Sequence, residues 1–451
     1  MNNSHYHFVG IGGIGMSGLA QILLQKGFTV SGSDLNSSSL TEQLKIQGTQ
    51  IYEGHLASNI SSPCTVVYSS AITEENPEIQ EAKRLNVPCV HRSELLHLLM
   101  EHQEPLLVTG THGKTTTSSL LTHLLVDAGL DPSYAVGGWI SGLNAHAGYG
   151  KGKYFVAEAD ESDGSFLNYI PFGAILTNID NDHLDYWKSI DRIVEGFRTF
   201  AKHVKVKEHF FWCGDDDLLR SLNLQGLSYG FDEKNDVKIN NFLQKGWKTV
   251  FDLSIFGKKY SEIEIPLIGA HNVLNAAAVF GLGISLGLSE EKIRKAFSHF
   301  KGVNRRAELK GGKGGITIFD DYGHHPTEVF ATLRAMKQAI SHHRLIVAFQ
   351  PHRYSRTRDC FHEFASAFSI ADQLILTDIY AAGESPIEGI TSRALLEEIR
   401  RGAALEACYV PRQNLSRFLA EHLRSGDVLV TMGAGDITQV GSEVIRMLPN
   451  E

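Results

Sequence analysis

Residues 106–119, Leu-Leu-Val-Thr-Gly-Thr-His-Gly-Lys-Thr-Thr-Thr-Ser-Ser, constrain this chain more than any other stretch. Leu106, Leu107 and Val108, running into Thr109, read as a buried strand, and residues 110–114 as a glycine-bearing turn. Leu120, Leu121, Leu124, Leu125 and Ala128 then recur on one helical face. A turn between strand and helix aims backbone N–H groups and the positive end of the helix dipole at one point. Lys114 adds a full charge there, and Thr115 offers a hydroxyl to Mg²⁺. A nucleotide triphosphate fits that arrangement. The general phosphate-loop spacing asks for glycine at position 108, where this chain has Val108. The match is therefore to a shorter form, Gly110-Thr111-His112-Gly113-Lys114-Thr115-Thr116, and a tight turn with an incidental lysine is the alternative.

At 451 residues the chain exceeds what one core supports, so about two to four domains are expected. With 42% hydrophobic and 21% charged residues the composition is that of a soluble globular protein. No apolar run reaches membrane-spanning length, and the N-terminus enters a strand without a basic and apolar leader, so a cytoplasmic protein with no membrane association is expected. Cys64, Cys89, Cys213, Cys360 and Cys408 are scattered and never spaced as metal pairs, which suits reduced thiols. A net charge of -9 argues against a nucleic-acid surface. An anionic ligand must be met by local clusters of positive charge.

Near the N-terminus a strand over His7–Val9 runs into Gly10-Ile11-Gly12-Gly13-Ile14-Gly15, and Met16, Leu19, Ala20, Leu23 and Leu24 make the face of the helix that follows. Asp34 closes the next strand, where such folds often hold a ribose. The loop reads phosphates and hardly the base, so NAD and a UDP group fit it equally well. Strands at 65–68 and 88–90, the first followed by Ser69 and Ser70, complete one parallel α/β domain over residues 1–103.

Beyond the phosphate loop, a strand over 154–157 ends in Glu158-Ala-Asp160-Glu161-Ser-Asp163, and one over 174–177 ends in Asn178-Ile-Asp180-Asn-Asp182-His183-Leu-Asp185. If both flank the loop's strand, Glu158 and His183 are placed to ligate the nucleotide's Mg²⁺; solvated helix starts are the plainer reading. Residues 238–267 alternate as short strands with turns at Lys245-Gly246 and Phe256-Gly257. Asn272 and Asn275 then stand one turn apart at the start of an alanine-rich helix, where they hold a nucleotide or, for Asn272, merely cap. From Ile316 a fresh α/β alternation begins. Its strands end in Asp320-Asp321-Tyr322-Gly323-His324-His325, in Gln350-Pro-His352-Arg353-Tyr354-Ser-Arg356, in Asp378 and in Met432-Gly433-Ala434-Gly435-Asp436. Pro326 opens a helix with Val329, Phe330, Leu333 and Met336 as its core stripe. Arg305, Arg306, His324, His352, Arg353, Arg356 and Arg358 form a basic set, either a ligand clamp or a solvated face.

Taken together, these motifs resemble the Mur ligase family over nearly the whole chain. The family-wide part is GTHGKTTT at 110–117, Glu158, His183, HNVLN at 271–275, Arg306 and Asp321. A second set resembles the branch that joins L-alanine to UDP-N-acetylmuramate: GIGGIGMSGLA at 10–20, EADESDGSFL at 158–167, NIDNDHLDYW at 178–187, DDYGHHPTE at 320–328 and QPHRYSRT at 350–357. The resemblance implies three α/β domains: a Rossmann-like UDP-sugar-binding domain (1–103), a central phosphate-loop ATPase with a parallel sheet (104–302), and a C-terminal Rossmann-like domain (303–451) that closes on ATP and binds the amino acid. It implies ATP and Mg²⁺, transfer of the γ-phosphoryl group to the sugar's carboxylate, and attack of the amine on the resulting acyl phosphate in peptidoglycan precursor synthesis. By the same resemblance, Gly110–Thr116, Asn272, Asn275, Arg306 and Asp321 bind ATP, Thr115 with Glu158 holds Mg²⁺, and His183 holds a second metal near the acceptor carboxylate. Gly12, Gly13, Ile14, Gly15, Asp34, Ser69 and Ser70 bind the UDP-sugar. Tyr322, His324, Arg353 and Arg356 serve alanine and the acyl phosphate, with Lys114, His183, Arg353 and Arg356 catalytic. Other members use a modified lysine as a second metal bridge; here Arg198 stands where it is sought. A monomer or homodimer is expected. An NAD-dependent dehydrogenase and an ATP-gated binding protein without chemistry are the rivals from other classes.

Overall fold

A computed structural model describes residues 4–402 and 405–449, and of Asp185 the backbone alone. The architecture is three-domain α/β, built on three sheets. The first is parallel, in the order Gln50–Glu53, Thr29–Asp34, His5–Val9, Thr65–Tyr68, Cys89–His91. Strand order reverses at His5–Val9, which puts the glycine loop that follows it in the crevice where doubly wound sheets receive ligands. The helix Ile14–Gln25 buries Met16, Leu19, Ala20 and Leu23, as the stripe requires, while Leu24 is only half-buried.

The second sheet has ten strands. In order they are Lys258–Ile265, Lys248–Ile255, Val237–Lys245, Leu227–Gly230, Phe210–Cys213, Gly173–Leu176, Glu104–Thr109, Tyr154–Glu158, Ser133–Ile140 and Ala145–Gly148. The strand leading into the phosphate loop thus lies between the two strands expected to flank it, parallel to both, with Val108 level with Glu158 and with Ile175. Two-residue turns join the last three strands in sequence, a connection only antiparallel neighbours allow. The helix Lys114–Asp127 buries Leu120, Leu121, Leu124 and Leu125 completely, each worth about 2 kcal/mol. Thr115 to Ser119 are buried as well, so this helix is enclosed on every side through its first three turns.

The third sheet runs Glu308–Lys313, Ile316–Asp321, Val428–Met432, Leu345–Phe349, Gln373–Leu376, Glu406–Tyr409, with the first strand antiparallel and the rest parallel. Its central strands, Leu345–Phe349 and Val428–Met432, are almost wholly apolar and buried along their length because helices pack on both faces: Val329, Leu333 and Met336 with Leu395 belong to one core cluster, Leu415, Leu419, Val440 and Val444 to another. Strand Ile316–Asp321 is longer than expected and takes in Asp320 and Asp321. Phe330 is not a core residue; it is 39% exposed, because the buried stripe of helix Pro326–Ile340 runs through 329, 333, 336 and 340, about 100° away.

The described chain divides into two compact units. One holds the residues up to Asn240 with Asp252–Ile263 and Leu274–Lys301; the other holds Asn241–Phe251, Glu264–Val273 and the residues from Gly302 onward. Among the described residues no helix is long and apolar enough to cross a membrane.

Candidate active site

The phosphate loop is shaped by two glycines and strapped by the neighbouring strand's exit. Gly110 (φ +125°) has no room for a side chain, since a Cβ would stand 2.2 Å from Thr177 Oγ1. Gly113 (φ +83°) caps the following helix, and its Cβ would meet Asn275 Oδ1 at 2.9 Å, so Asn275 stands against the loop. Asn178 accepts from the His112 N–H through Oδ1 at 2.8 Å and donates back to the His112 carbonyl at 3.0 Å, while the Thr177 hydroxyl donates to the same carbonyl at 2.6 Å. The Thr111 hydroxyl accepts from the Asp180 N–H at 2.9 Å, and His112 Nε2 lies 2.9 Å from Asp180 Oδ2.

Lys114 Nζ donates to the carbonyls of Gly110 (2.7 Å) and Thr111 (3.1 Å) and to Glu161 Oε2 (2.7 Å). Burial alone would lower its pKa, but Glu161, Asp160 and Glu158 outweigh that and raise it, so the ammonium stays charged. Glu158 accepts from the Thr115 hydroxyl at 3.2 Å, the Ser118 hydroxyl at 2.9 Å and the Gly137 N–H at 2.6 Å. A hydroxyl and a carboxylate side by side at the end of a phosphate loop are hard oxygen donors of the kind Mg²⁺ takes. His183, at a left-handed φ of +57°, faces Glu161 Oε1 at 3.9 Å and Asp182 Oδ2 at 3.7 Å. Arg198, on the helix Ile190–His203, pairs with Glu195 at 2.8 Å, and both side chains are largely exposed.

In the first sheet Gly13 caps the helix Ile14–Gln25 without a side-chain cap, so that helix N-terminus is open, and residues 13–15 are exposed. Asp34, expected at a ribose, accepts from the Gly12 N–H at 2.8 Å and so latches the glycine loop itself. The Ser70 hydroxyl donates to Asp163 Oδ2 at 2.5 Å, tying the first sheet to the acidic run after Glu158. Arg92 does the same, with Nη2 3.4 Å from Asp160 and 3.7 Å from Asp163.

In the other unit, Asp321 accepts from the N–H groups of Ala307 and Gly323, each at 2.7 Å, and burial pushes its pKa up to about 6 against the pull of Arg306. Arg306 and Arg305 lie over the Tyr322 ring at 5.2 and 4.9 Å. Tyr322, His324 and His352 form a run of ring contacts, and Arg356 Nη1 is 3.3 Å from His352 Nδ1. Burial, with Arg356 and Arg353 nearby, holds the His352 pKa down at about 4. Asn272 is not a helix cap: it lies inside the helix Ala270–Ser285 and donates to the Ile268 carbonyl at 2.8 Å. Several members of the basic set carry counter-ions: Arg305 Nε lies 3.2 Å from Asp320 and Arg306 Nη1 3.8 Å from Glu328. Arg353 Nε donates to Glu384 at 2.6 Å, and Arg358 pairs with Asp359 at 2.7 Å on the surface.

Three family models match the chain: "Mur ligase family, catalytic domain" over residues 5–104, "Mur ligase middle domain" over 108–283, and "Mur ligase, glutamate ligase domain" over 305–435. The chain belongs to the Mur ligase family. A UDP-N-acetylmuramate–L-alanine ligase of Protochlamydia amoebophila is 50% identical over 99% of this chain and 98% of its own. A crystallised UDP-N-acetylmuramate–alanine ligase of Thermotoga maritima has a TM-score of 0.86 at 29% identity, covering 98% of both chains. A murein peptide ligase of Psychrobacter arcticus, with a TM-score of 0.73 and 24% identity over 99% of both chains, shares the fold.

In this Mur ligase, the side chains the sequence reading passed over are the acidic partners. Glu161, Glu384 and the Arg92 link to Asp160 and Asp163 are all long-range pairings. The signal available was the density of carboxylates in 158–163, which said that some would be structural without saying which.

Proposed function

We propose that this Mur ligase joins L-alanine to the lactyl carboxylate of UDP-N-acetylmuramate, driven by ATP, in the assembly of peptidoglycan precursors. The observation that carries the proposal is the loop's setting: the Lys114 strand lies between the strands that deliver Glu158 and the His183 segment. The full-length identity to named L-alanine ligases supports the choice of substrates. An amide cannot form directly from a carboxylate, which is a poor acylating agent, so the γ-phosphoryl group is moved onto it and the amine then displaces phosphate. Lys114 meets the β- and γ-phosphate charge that grows during transfer, and the N–H groups of residues 110–115 cradle the remainder.

The residues present fit Mg²⁺: Thr115 and Glu158 supply oxygen donors beside the loop, and Glu161 carries a buried oxygen without a hydrogen-bond partner. Thr115 and Glu158 would hold it, with His183 holding a second ion on the acceptor side, and when bound these ions supply charge neutralisation at the phosphates. Residues 1–103 take the UDP-sugar on the glycine loop, 104–302 take ATP, and 303–451 take the amino acid. Asn272, Asn275, Arg306 and Asp321 serve the nucleotide. Tyr322, His324, Arg353 and Arg356 serve alanine and the acyl phosphate. Dependence on ATP is consistent with a cytoplasmic enzyme.

Phosphate release with each substrate omitted in turn tests the reading. ATP consumption is expected to require both UDP-N-acetylmuramate and alanine, and the sugar nucleotide to gain the mass of one alanine residue. A gain of a tripeptide would assign the chain to peptide recycling instead, and turnover indifferent to the sugar nucleotide would end the ligase proposal.

A further inference from the structure

The segment after strand Leu345–Phe349 is gripped by the loop that follows the neighbouring strand, Gln373–Leu376. The Arg353 N–H donates to the Tyr380 carbonyl and the Tyr380 N–H to the Pro351 carbonyl, each at 2.8 Å, and the His352 ring stacks on that of Tyr380 at 5.6 Å. Further along the same loop, Glu384 closes the grip. Its Oε1 accepts from Arg353 Nε at 2.6 Å and from the Ser355 hydroxyl at 2.6 Å, and its Oε2 accepts from the Ser355 N–H at 2.9 Å. Burial would raise the Glu384 pKa, but the Ser355 hydrogen bonds and the Arg353 charge outweigh it and lower the value, so the carboxylate stays ionised. Arg353 itself is held at φ +69°, a left-handed conformation that is costly for a residue other than glycine and that clusters at ligand sites.

A guanidinium offers an anion two forked edges, a side edge made of Nε with one terminal nitrogen and an end edge made of both terminal nitrogens. With Nε on Glu384 the side edge is spent and the plane of the group is set, so an oxyanion must be met by the end edge. Charge balance alone does not ask for this geometry. One carboxylate that binds both the guanidinium and the Ser355 backbone ties the direction of the Arg353 side chain to its own chain segment. We propose that Glu384 is a positioning residue of the ligase, which holds the Arg353 guanidinium so that its two terminal nitrogens meet a two-oxygen anion, the carboxylate of the amino acid or the acyl phosphate. The proposal rests on the reading of Arg353 as the residue that serves those groups.

Steady-state kinetics of the full-length protein with ATP, UDP-N-acetylmuramate and alanine test it. Glu384→Gln is expected to lower kcat/KM for alanine about tenfold or more, as misplacing a binding group does, and to leave the Michaelis constants for ATP and the UDP-sugar within about twofold of the parent. A raised Michaelis constant for alanine assigns the anion to the amino acid, and a lowered kcat with that constant held assigns it to the acyl phosphate. In an Arg353→Ala protein the same change is expected to cost less than about twofold more, because no guanidinium is left to hold. Parental kinetics in Glu384→Gln would overturn the proposal. So would a loss of the same size in the Arg353→Ala background, which would make Glu384 a support of the 351–355 segment alone. A parent without alanine-dependent turnover would fail the ligase reading, and parental kinetics in Arg353→Ala the reading of Arg353; either takes the proposal with it. Should Glu384→Gln not fold, Arg353→Lys decides the matter, since an ammonium keeps the charge and lacks the plane. A loss as large as that of Arg353→Ala supports an oriented guanidinium, and activity within about threefold of the parent overturns it.

Discussion

Lys114 holds three acceptors in the structure, the carbonyls of Gly110 and Thr111 and Glu161 Oε2, and has to turn part of that set toward phosphate. Lys114→Ala is expected to lower phosphate release by about 10²-fold or more, since removing one preorganised charge from a developing one costs that much. It also strands Glu161, so the unfolding midpoint falls; in Lys114→Ala with Glu161→Gln the midpoint should recover while turnover does not. Turnover within a few-fold of the parent would count against the role given to Lys114. At the other loop, a Cβ on Gly12 would sit 2.8 Å from Asp34 Oδ2. Gly12→Asp sets two carboxylates against each other and against a pyrophosphate. The Michaelis constant for the UDP-sugar should rise at least about tenfold and that for ATP should hold. A change in the ATP constant alone would reverse the assignment of the two loops. Both loops are legible in sequence, because a glycine needed for left-handed φ or close approach marks its own position. The latch between Gly12 and Asp34 is not, because nothing local distinguishes a carboxylate that holds a ribose from one that holds a backbone N–H.

At the scale of elements, what shapes the phosphate loop is the exit of the next strand. Asn178 makes two hydrogen bonds to the His112 backbone, and Thr177 a third. Asn178→Ala should raise the Michaelis constant for ATP about 30-fold, on the basis of roughly 1 kcal/mol for each of the two lost bonds, and leave that for the UDP-sugar unchanged. Equal changes in both constants would mean a general loosening of the fold. The order of strands around the loop was readable as a requirement of the chemistry: carboxylate-bearing strand ends after a phosphate loop make sense only beside it. The acidic partners of the third sheet's basic strand ends were not legible, for a physical reason. Counting arginines along a chain ignores their partners, and Glu384 lies far along the chain from Arg353.

Across the larger molecule, His146 shows how two sheets of one unit are held to each other. Its Nε2 is 3.1 Å from the Ser17 hydroxyl on the first helix, and its ring stacks on Trp139 at 5.2 Å. Burial holds its pKa at about 4, below the ordinary 6.5, because a charge there would be desolvated. A depressed value means that the folded state prefers the neutral ring. The stability this contributes is complete above pH 6.5 and is lost as pH falls toward 4, by up to about 3 kcal/mol. Between pH 7 and pH 4.5 the parent's unfolding midpoint in urea should therefore fall further than that of His146→Gln. Parallel declines would remove His146 as the cause.

The sequence alone determined the three α/β sheets, the two glycine-marked loops and the polar residues at the strand ends, because each is written in short-range terms: apolar period, glycine position, the residue at a strand's end. Tertiary structure alone decided which carboxylate meets which cation. In the run from Glu158 to Asp163 the residues are chemically alike and adjacent in the chain. Yet Glu158 goes to Thr115 and Ser118, Glu161 to Lys114 and His183, and Asp163 to Ser70 and Arg92. Pairings of that kind are set by how segments far apart in sequence pack together, and spacing along one strand end carries no information about them.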